Sequence, residues 1–188
     1  MKKFILPEAT EYQKKLCKLF AEYSVITNVN EYQKRNQYNQ EKIKKDIYQG
    51  KLSEFMVFNF LLNTNKTPYP PDIMVYNKRN KSFDCDLLTT DNVKIHVKSC
   101  SNKSRYPNSW LFQPQDPLTI VPKKNNFIFL TVLDAEKPYT YIYSAKDVID
   151  WYKPPLKKEL NKKVIYEEDI IKKYEKKEFI SNSSSKQT

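Results

Sequence analysis

The chain has 188 residues, and 33 Lys or Arg against 22 Asp or Glu give it a formal net charge of +11. Its length is typical of one domain, and an aromatic content of 14% supplies apolar surface for a core although only 39% of the residues are hydrophobic. The chain contains one glycine and one histidine. This excludes glycine-rich nucleotide-binding loops and zinc sites built from several histidines, so we predict a folded, basic protein without a nucleotide cofactor.

The cysteines and the charge bear on location and partners. Cys17, Cys85 and Cys100 form no CxxC pair, and no signal peptide or long apolar run is present, which predicts an intracellular, cytoplasmic protein outside the membrane. Nearly all of the basic excess is lysine, since arginine occurs at only three positions. Either these lysines only cover solvated surface, and an A+T-rich coding bias has raised their number, or they attract the phosphates of nucleic acid.

Residues 1–66 are predicted to be helical. Apolar side chains recur at helical spacing over residues 9–23, which predicts a first helix; they are Tyr12, Leu16, Leu19, Phe20 and Tyr23. The polar stretch 28–45 is either a lysine-bearing surface helix or a connector. A second apolar pattern runs from residue 41 to Leu61, and Gly50 either divides it into two helices or lies at a close packing contact inside one.

Residues 70–144 are predicted to form a sheet, because the apolar pattern changes to a period of two. The candidate strands are Asp72–Tyr76, Phe83–Leu88, Val93–Ser99, Trp110–Pro114, Phe127–Leu133 and Tyr139–Tyr143, the last two paired across a turn. Residues 145–180 are predicted to add helices at 147–152, capped by Ser144, and at 164–174, followed by a disordered tail over 181–188. The prediction is one domain over 1–180, of α/β or α+β class, with a mixed, mostly antiparallel sheet flanked by helices.

The segment 82–99 forms a predicted hairpin in which each strand has an apolar and a polar face. Because side chains alternate along a strand, Val93, Ile95 and Val97 share the core face, and Lys94, His96 and Lys98 share the other. A three-residue loop at 90–92 would place Asp86 opposite His96 and Asp84 opposite Lys98, whereas a two-residue turn would pair Leu87 with His96. The three-residue register keeps both faces consistent, so we predict it.

This register brings carboxylates, an imidazole and a lysine to one end of the hairpin. Carboxylates and imidazole can hold a divalent metal, and a lysine beside the metal can orient a water or balance the charge of a phosphate. These groups are suited to metal-assisted hydrolysis of a phosphodiester bond. His96 is either such a site residue or an exposed strand histidine, and its position opposite the aspartates favours the site.

The same residues, in the same order, resemble the PD-(D/E)XK nuclease superfamily over residues 50–143, most closely phage- and virus-type members with an Ile-His-Val-Lys-Ser strand. In that family an acidic residue on one strand precedes a second acidic residue, any residue and a lysine on the next strand. A glutamate on a preceding helix often joins the metal site. The resemblance implies Asp86 or Asp84 as the first acid, Lys98 as the lysine and Glu54 as the helix glutamate.

His96 departs from the family pattern, because it lies where the family usually has Glu or Asp. A neutral imidazole supplies a ligand nitrogen but no negative charge, so it binds Mg²⁺ less strongly than a carboxylate does. Either Asp84 and Asp86 compensate together, or the site prefers a different metal, or catalysis has been lost.

The resemblance implies a restriction-endonuclease-like core and an endonuclease, dependent on Mg²⁺ or Mn²⁺, that cuts duplex DNA in the host cell of a phage or virus. The implied metal ligands are Asp84, Asp86, Glu54 and His96. The implied catalytic residues are Asp86, His96, Lys98, Glu54 and Gln113. Phosphate contacts are expected from Lys94, Lys103 and Arg105.

Cutting both strands needs two active sites, which favours a homodimer. The alternatives are a DNA-binding protein with a degenerate site on the same fold, and a structural or interaction protein whose charge is only coding bias.

Overall fold

A computed structural model describes residues 2–34, 36–76, 85–101, 103, 108–114, 116–120, 125–156 and 161–174. Asp84, Arg105 and the predicted tail 181–188 lie outside the described residues. The helices are α1 (Glu11–Thr27), α2 (Val29–Gln33), α3 (Gln40–Asn63), α4 (Pro117–Ile120) and α5 (167–174), with a 3₁₀ turn at Ile149–Trp151. The strands are β1 (Phe4–Ile5), β2 (Leu87–Leu88), β3 (Lys94–Cys100), β4 (Ser109–Phe112), β5 (Asn126–Val132), β6 (Tyr139–Ser144) and β7 (Lys163–Tyr166).

Five of the strands form a mixed sheet in the order β1-β6-β5-β3-β2. β3 and β5 run parallel, and the other neighbouring pairs are antiparallel. β4 and β7 pair with each other in a separate two-stranded antiparallel sheet. The α+β class and the mixed, mostly antiparallel sheet are therefore confirmed.

The central sheet buries both of its faces. One face packs on α3, through a core that includes Met56, Val57, Ile95, Val97 and Phe129. The other face packs on the β4–β7 sheet and the C-terminal elements, through a core that includes Trp110, Phe112, Ile128, Leu130, Tyr141 and Ile165. Strands β3 and β5 lie between two apolar layers, which is why β5 is an almost continuous apolar run.

The first helix forms where its apolar period predicts, but it buries a different face. A capping box at Thr10 and Gln13 begins α1, and the helix continues to Thr27. Its buried residues are Cys17, Ala21, Ser24 and Val25, whereas Tyr12, Leu19 and Tyr23 are exposed. Because α1 packs against α3, the small residues at this contact let the two helices approach closely.

Gly50 lies inside α3, which runs without interruption over 24 residues. A Cβ atom at this position would meet no other atom within 4 Å. Both sequence-based interpretations of Gly50, a helix break and a close packing contact, are therefore wrong.

Neither α3 nor any other helix in the described part of the chain combines the length and hydropathy that crossing a membrane requires.

Replacing Gly50 with alanine is expected to stabilise the protein by about 0.5–1 kcal/mol, because alanine loses less backbone entropy in a helix and its methyl group meets no obstacle. Urea denaturation followed by circular dichroism would measure the change. A lower unfolding midpoint for Gly50→Ala would contradict the open surroundings that the structure gives this position.

Several predicted elements differ from the structure, among them residues 4–5 of the predicted helical part, which form the edge strand β1. Residues 72–76 form no strand; the Asp72 carboxylate instead accepts a hydrogen bond from the Met74 N–H at 2.9 Å in a local turn. The predicted helix over 164–174 begins with β7 and becomes helical only at residue 167, since the apolar residues of β7 pair with β4. The predicted helix over 147–152 is only a 3₁₀ turn.

Candidate active site

The β2–β3 hairpin has the three-residue loop that was predicted. Leu87 pairs with Ile95 and Leu88 with Lys94, which leaves residues 90–92 as the loop. Asn92 closes the loop with a φ of 60°, a left-handed conformation that asparagine tolerates better than most residues. The pairing ends at Leu87, and Asp86 directly before it lies beside this part of β3.

Asp86 lies where β2 begins and is bound to β3 through both its backbone and its side chain. Its N–H donates to the Ile95 carbonyl at 3.0 Å, and its Oδ2 accepts from the Val97 N–H at 2.8 Å. The carboxylate thus occupies the position at the edge of β3 that a strand carbonyl would otherwise take. It is half-buried and lies beside the backbone that carries His96 and Lys98.

His96 and Lys98 lie on the face of β3 opposite Ile95 and Val97, as the alternation predicts. His96 is buried, with 9% of its surface exposed, so its interpretation as an exposed strand histidine is wrong. Lys98 is half-buried, and its Nζ lies 5.2 Å from the centroid of the Phe112 ring. The ammonium group therefore lies over the face of this ring, in a cation–π contact.

Asp116 is the carboxylate that forms an ion pair with Lys98. Its Oδ2 lies 3.4 Å from Lys98 Nζ, and its Oδ1 accepts from the Leu118 N–H at 3.1 Å at the start of α4. Burial, and then the charge of Asp116, raise the pKa of the nearby Tyr152 hydroxyl. An aspartate followed by proline is a signal for a helix start, but nothing in the sequence indicates that this carboxylate reaches Lys98.

Glu54, the implied helix glutamate, forms an ion pair on its own helix. Its Oε2 lies 2.6 Å from Lys51 Nζ, which also donates to the Asp72 carbonyl at 2.8 Å. The Lys51 ammonium lies 4.7 Å from the centroid of the Phe20 ring of α1. Since α3 covers the face of the sheet that bears Ile95, and Lys98 lies on the other face, the structure does not bring Glu54 together with Lys98.

The remaining implied site residues lie at the end of β4 and at or beyond the two ends of β3. Gln113 is exposed directly after β4, and its carbonyl accepts from the Asp116 N–H at 3.0 Å, so it contacts Asp116 through its backbone. Lys94 is half-buried at the first position of β3, and Lys103 is exposed beyond the end of that strand. The implied residues Asp84 and Arg105 lie outside the described part of the chain.

The donor set at the hairpin fits a divalent metal in part. Asp86 contributes a carboxylate that is bonded to the backbone of β3, and His96 contributes an imidazole on the same strand. Within the described residues, however, no group of three or more His, Cys, Asp or Glu side chains is arranged to hold a metal ion. A complete metal site would therefore need a further ligand, for which the sequence offers Asp84.

A second polar cluster, not predicted from the sequence, surrounds Glu167 at the end of β7. Its Oε1 accepts from the Tyr139 and Tyr141 hydroxyls at 2.7 and 2.6 Å, and its Oε2 accepts from Asn108 Nδ2 at 2.7 Å. Burial alone would raise the pKa of this carboxyl, but these hydrogen bonds and the nearby Lys3 ammonium together lower it. The spacing of the tyrosines predicts that they share a face of β6, but not that a carboxylate faces them.

Comparisons with known proteins do not assign the chain to a family. No family model matches it, and no curated protein matches it significantly. The geometry of the hairpin and its surroundings is therefore the basis for a functional proposal.

Proposed function

We propose that this protein is a metal-dependent endonuclease that cuts DNA, on a core related to that of restriction endonucleases. The observation that carries the proposal is the hairpin register. It brings the Asp86 carboxylate against the segment of β3 that bears His96 and Lys98. An acid on one strand and a lysine on its antiparallel neighbour form the central part of the PD-(D/E)XK pattern.

In this proposal Asp86 and His96 would hold the metal together with Asp84, while Glu54 stays in its ion pair with Lys51 on α3 and takes no part. The bound metal supplies positive charge that stabilises the scissile phosphate in the transition state. Lys98 holds the attacking water through the ammonium protons that it does not share with Asp116. The Phe112 ring beneath this ammonium limits the directions in which its protons can point.

The proposed partner is duplex DNA, bound mainly through its phosphates. The net charge of +11 favours a polyanionic partner, and Lys94 and Lys103 lie at the two ends of the strand that carries the proposed catalytic lysine. Contacts of this kind are independent of base sequence, so they support binding and do not select a recognition site.

Incubation of the purified protein with supercoiled plasmid and Mg²⁺ or Mn²⁺ tests the proposal. We expect nicked and linear products with metal and none with EDTA. Asp86→Asn is expected to remove cleavage, while Asp147→Asn, at an exposed turn aspartate, serves as the matched control and leaves it unchanged. The absence of cleavage by the wild-type protein with either metal would overturn the proposal.

The second candidate is a DNA-binding protein whose site has lost its chemistry. The observation that favours it is the buried imidazole of His96 at a position where an acidic ligand is expected. This candidate predicts salt-dependent DNA binding without cleavage, and the same affinity for Asp86→Asn as for the wild type. A filter-binding titration over several salt concentrations, performed beside the plasmid assay, distinguishes the two.

The imidazole also predicts a metal preference within the endonuclease proposal. Because imidazole is a softer ligand than carboxylate, we expect faster cleavage with Mn²⁺ than with Mg²⁺. His96→Glu restores the acidic ligand and is expected to raise the Mg²⁺-supported rate by about tenfold, the size of effect usual for changes in the surroundings of a metal. Initial rates of plasmid nicking measure the Mn²⁺-to-Mg²⁺ ratio, and an unchanged ratio in His96→Glu would show that His96 is not a ligand.

A further inference from the structure

The helix α1 exposes a continuous apolar stripe along one side. Tyr12, Leu19, Tyr23 and Ile26 form this α1 stripe, and each of these side chains is between 50% and 72% exposed. Three of them are spaced at intervals of seven residues, and Tyr23 lies one turn beyond Leu19. At about 3.6 residues per turn these positions fall on one side of the helix, opposite the residues that pack on α3.

We propose that the α1 stripe is a dimer interface, and that its occupant is the α1 stripe of a second copy of this chain in antiparallel orientation. The inference does not depend on the proposed nuclease activity. An isologous contact about a two-fold axis pairs a surface with itself, so the stripe must be self-complementary in both shape and charge.

The apolar residues satisfy this requirement when the two-fold axis passes beside Leu19. In antiparallel helices related by that axis, Leu19 faces Leu19 of the second copy, and Tyr12 faces Ile26. Each large apolar side chain thus meets another one, and the contact covers side chains that a monomer leaves in water.

The charges beside the stripe decide the orientation. Lys15 and Glu22 flank the α1 stripe on the same side of the helix, seven residues apart and on either side of Leu19 along the axis. Antiparallel pairing places Lys15 of each copy beside Glu22 of the other, which gives two equivalent ion pairs. Parallel pairing would place this charged flank against the opposite flank, where Leu16 and Tyr23 lie.

Glu22 is already held in place by an ion pair within one copy. Its Oε1 lies 3.0 Å from Lys44 Nζ of α3, and a third of the side chain stays exposed. A carboxylate fixed in this way loses less side-chain entropy when it binds a second lysine.

Sedimentation velocity over a range of protein concentrations tests the interface. We expect the wild type to dimerise, and Leu19→Glu to remain monomeric at every concentration. Leu156→Glu, a matched substitution at an exposed leucine outside α1, should dimerise like the wild type. A monomeric wild type, or a dimer that Leu19→Glu leaves intact, would overturn the proposal.

Exchanging the charges tests the antiparallel orientation. Lys15→Glu and Glu22→Lys each place like charges opposite each other in their own homodimers, and each should weaken dimerisation by about tenfold or more. A mixture of the two variants pairs opposite charges at both contacts, so it should form the dimer that neither variant forms alone. Failure of the mixture to associate more tightly than either variant would overturn the antiparallel arrangement.

Discussion

Replacing Lys98 with methionine is expected to slow DNA cleavage by about 10²–10³-fold, the usual cost of removing one group that stabilises charge in a transition state. Methionine keeps an unbranched side chain of similar length, so the substitution removes the ammonium group that lies over the Phe112 ring and keeps most of the side-chain volume. Lys98→Arg is expected to restore little activity, since a planar guanidinium cannot occupy the position of a compact ammonium. Initial rates of plasmid nicking in Mn²⁺ measure the loss.

The matched control for this experiment is Lys146→Met. Lys146 is an exposed lysine in the turn after β6, and its loss removes one positive charge without altering the surroundings of Lys98. Both variants should bind DNA with similar affinity, since each loses a single charge from a net +11. Cleavage by Lys98→Met at the rate of the Lys146→Met control would contradict the role that we propose for Lys98.

Replacing Glu167 with alanine is expected to destabilise the fold by about 3–5 kcal/mol, because buried donors would lose a charged acceptor. Only 13% of this side chain is exposed, and the Tyr139 and Tyr141 hydroxyls and the Asn108 amide all donate to its carboxylate. Urea denaturation followed by tyrosine and tryptophan fluorescence measures the change in the free energy of unfolding.

The neighbouring residue provides the control for this substitution. Glu168 is exposed, and its carboxylate lies 3.5 Å from Lys172 in a surface ion pair on α5. Glu168→Ala is expected to change the free energy of unfolding by less than about 0.5 kcal/mol. Equal effects of the two alanine substitutions would show that the Glu167 cluster does not stabilise the fold.

The same cluster predicts how stability depends on pH. The pKa of Glu167 is lower in the folded protein than its ordinary value of 4.5, so its contribution is fully present above that pH. The contribution is lost as the pH falls through the lowered pKa. The difference in stability between the wild type and Glu167→Gln should therefore be constant near neutral pH and decrease below pH 4.5. A difference that grows on acidification would contradict the lowered pKa.

The elements that could be predicted from the sequence are those with a strong local pattern. The alternation over 93–99 and the apolar run over 127–133 identify β3 and β5 within one residue at each end. Alternation also predicts the hairpin register, because a shift by one residue would turn every side chain of a strand toward the other face. The position of Asp86 beside the segment of β3 that bears His96 follows from this register.

Periodicity alone could not decide which side of α1 is buried. The large apolar residues of the α1 stripe and the smaller buried residues both recur at helical spacing. Small residues face α3 because they permit close helix packing, which is a property of the pair of helices and not of either sequence alone. The strand β7 was missed for a related reason, since its partner β4 is distant in the chain.

The sequence by itself determined the basic charge, the central strands and the set of groups on the β2–β3 hairpin, because these depend on residue type and on neighbours along the chain. Only the tertiary structure decided that Lys98 faces Asp116, that Lys51 donates to the Asp72 carbonyl, and that Glu167 accepts from Tyr139 and Tyr141. Which side chain a charged or polar group meets depends on how α3, α4 and β7 cross the sheet. That arrangement is set by the burial of apolar surface on both faces of the sheet, to which residues throughout the chain contribute.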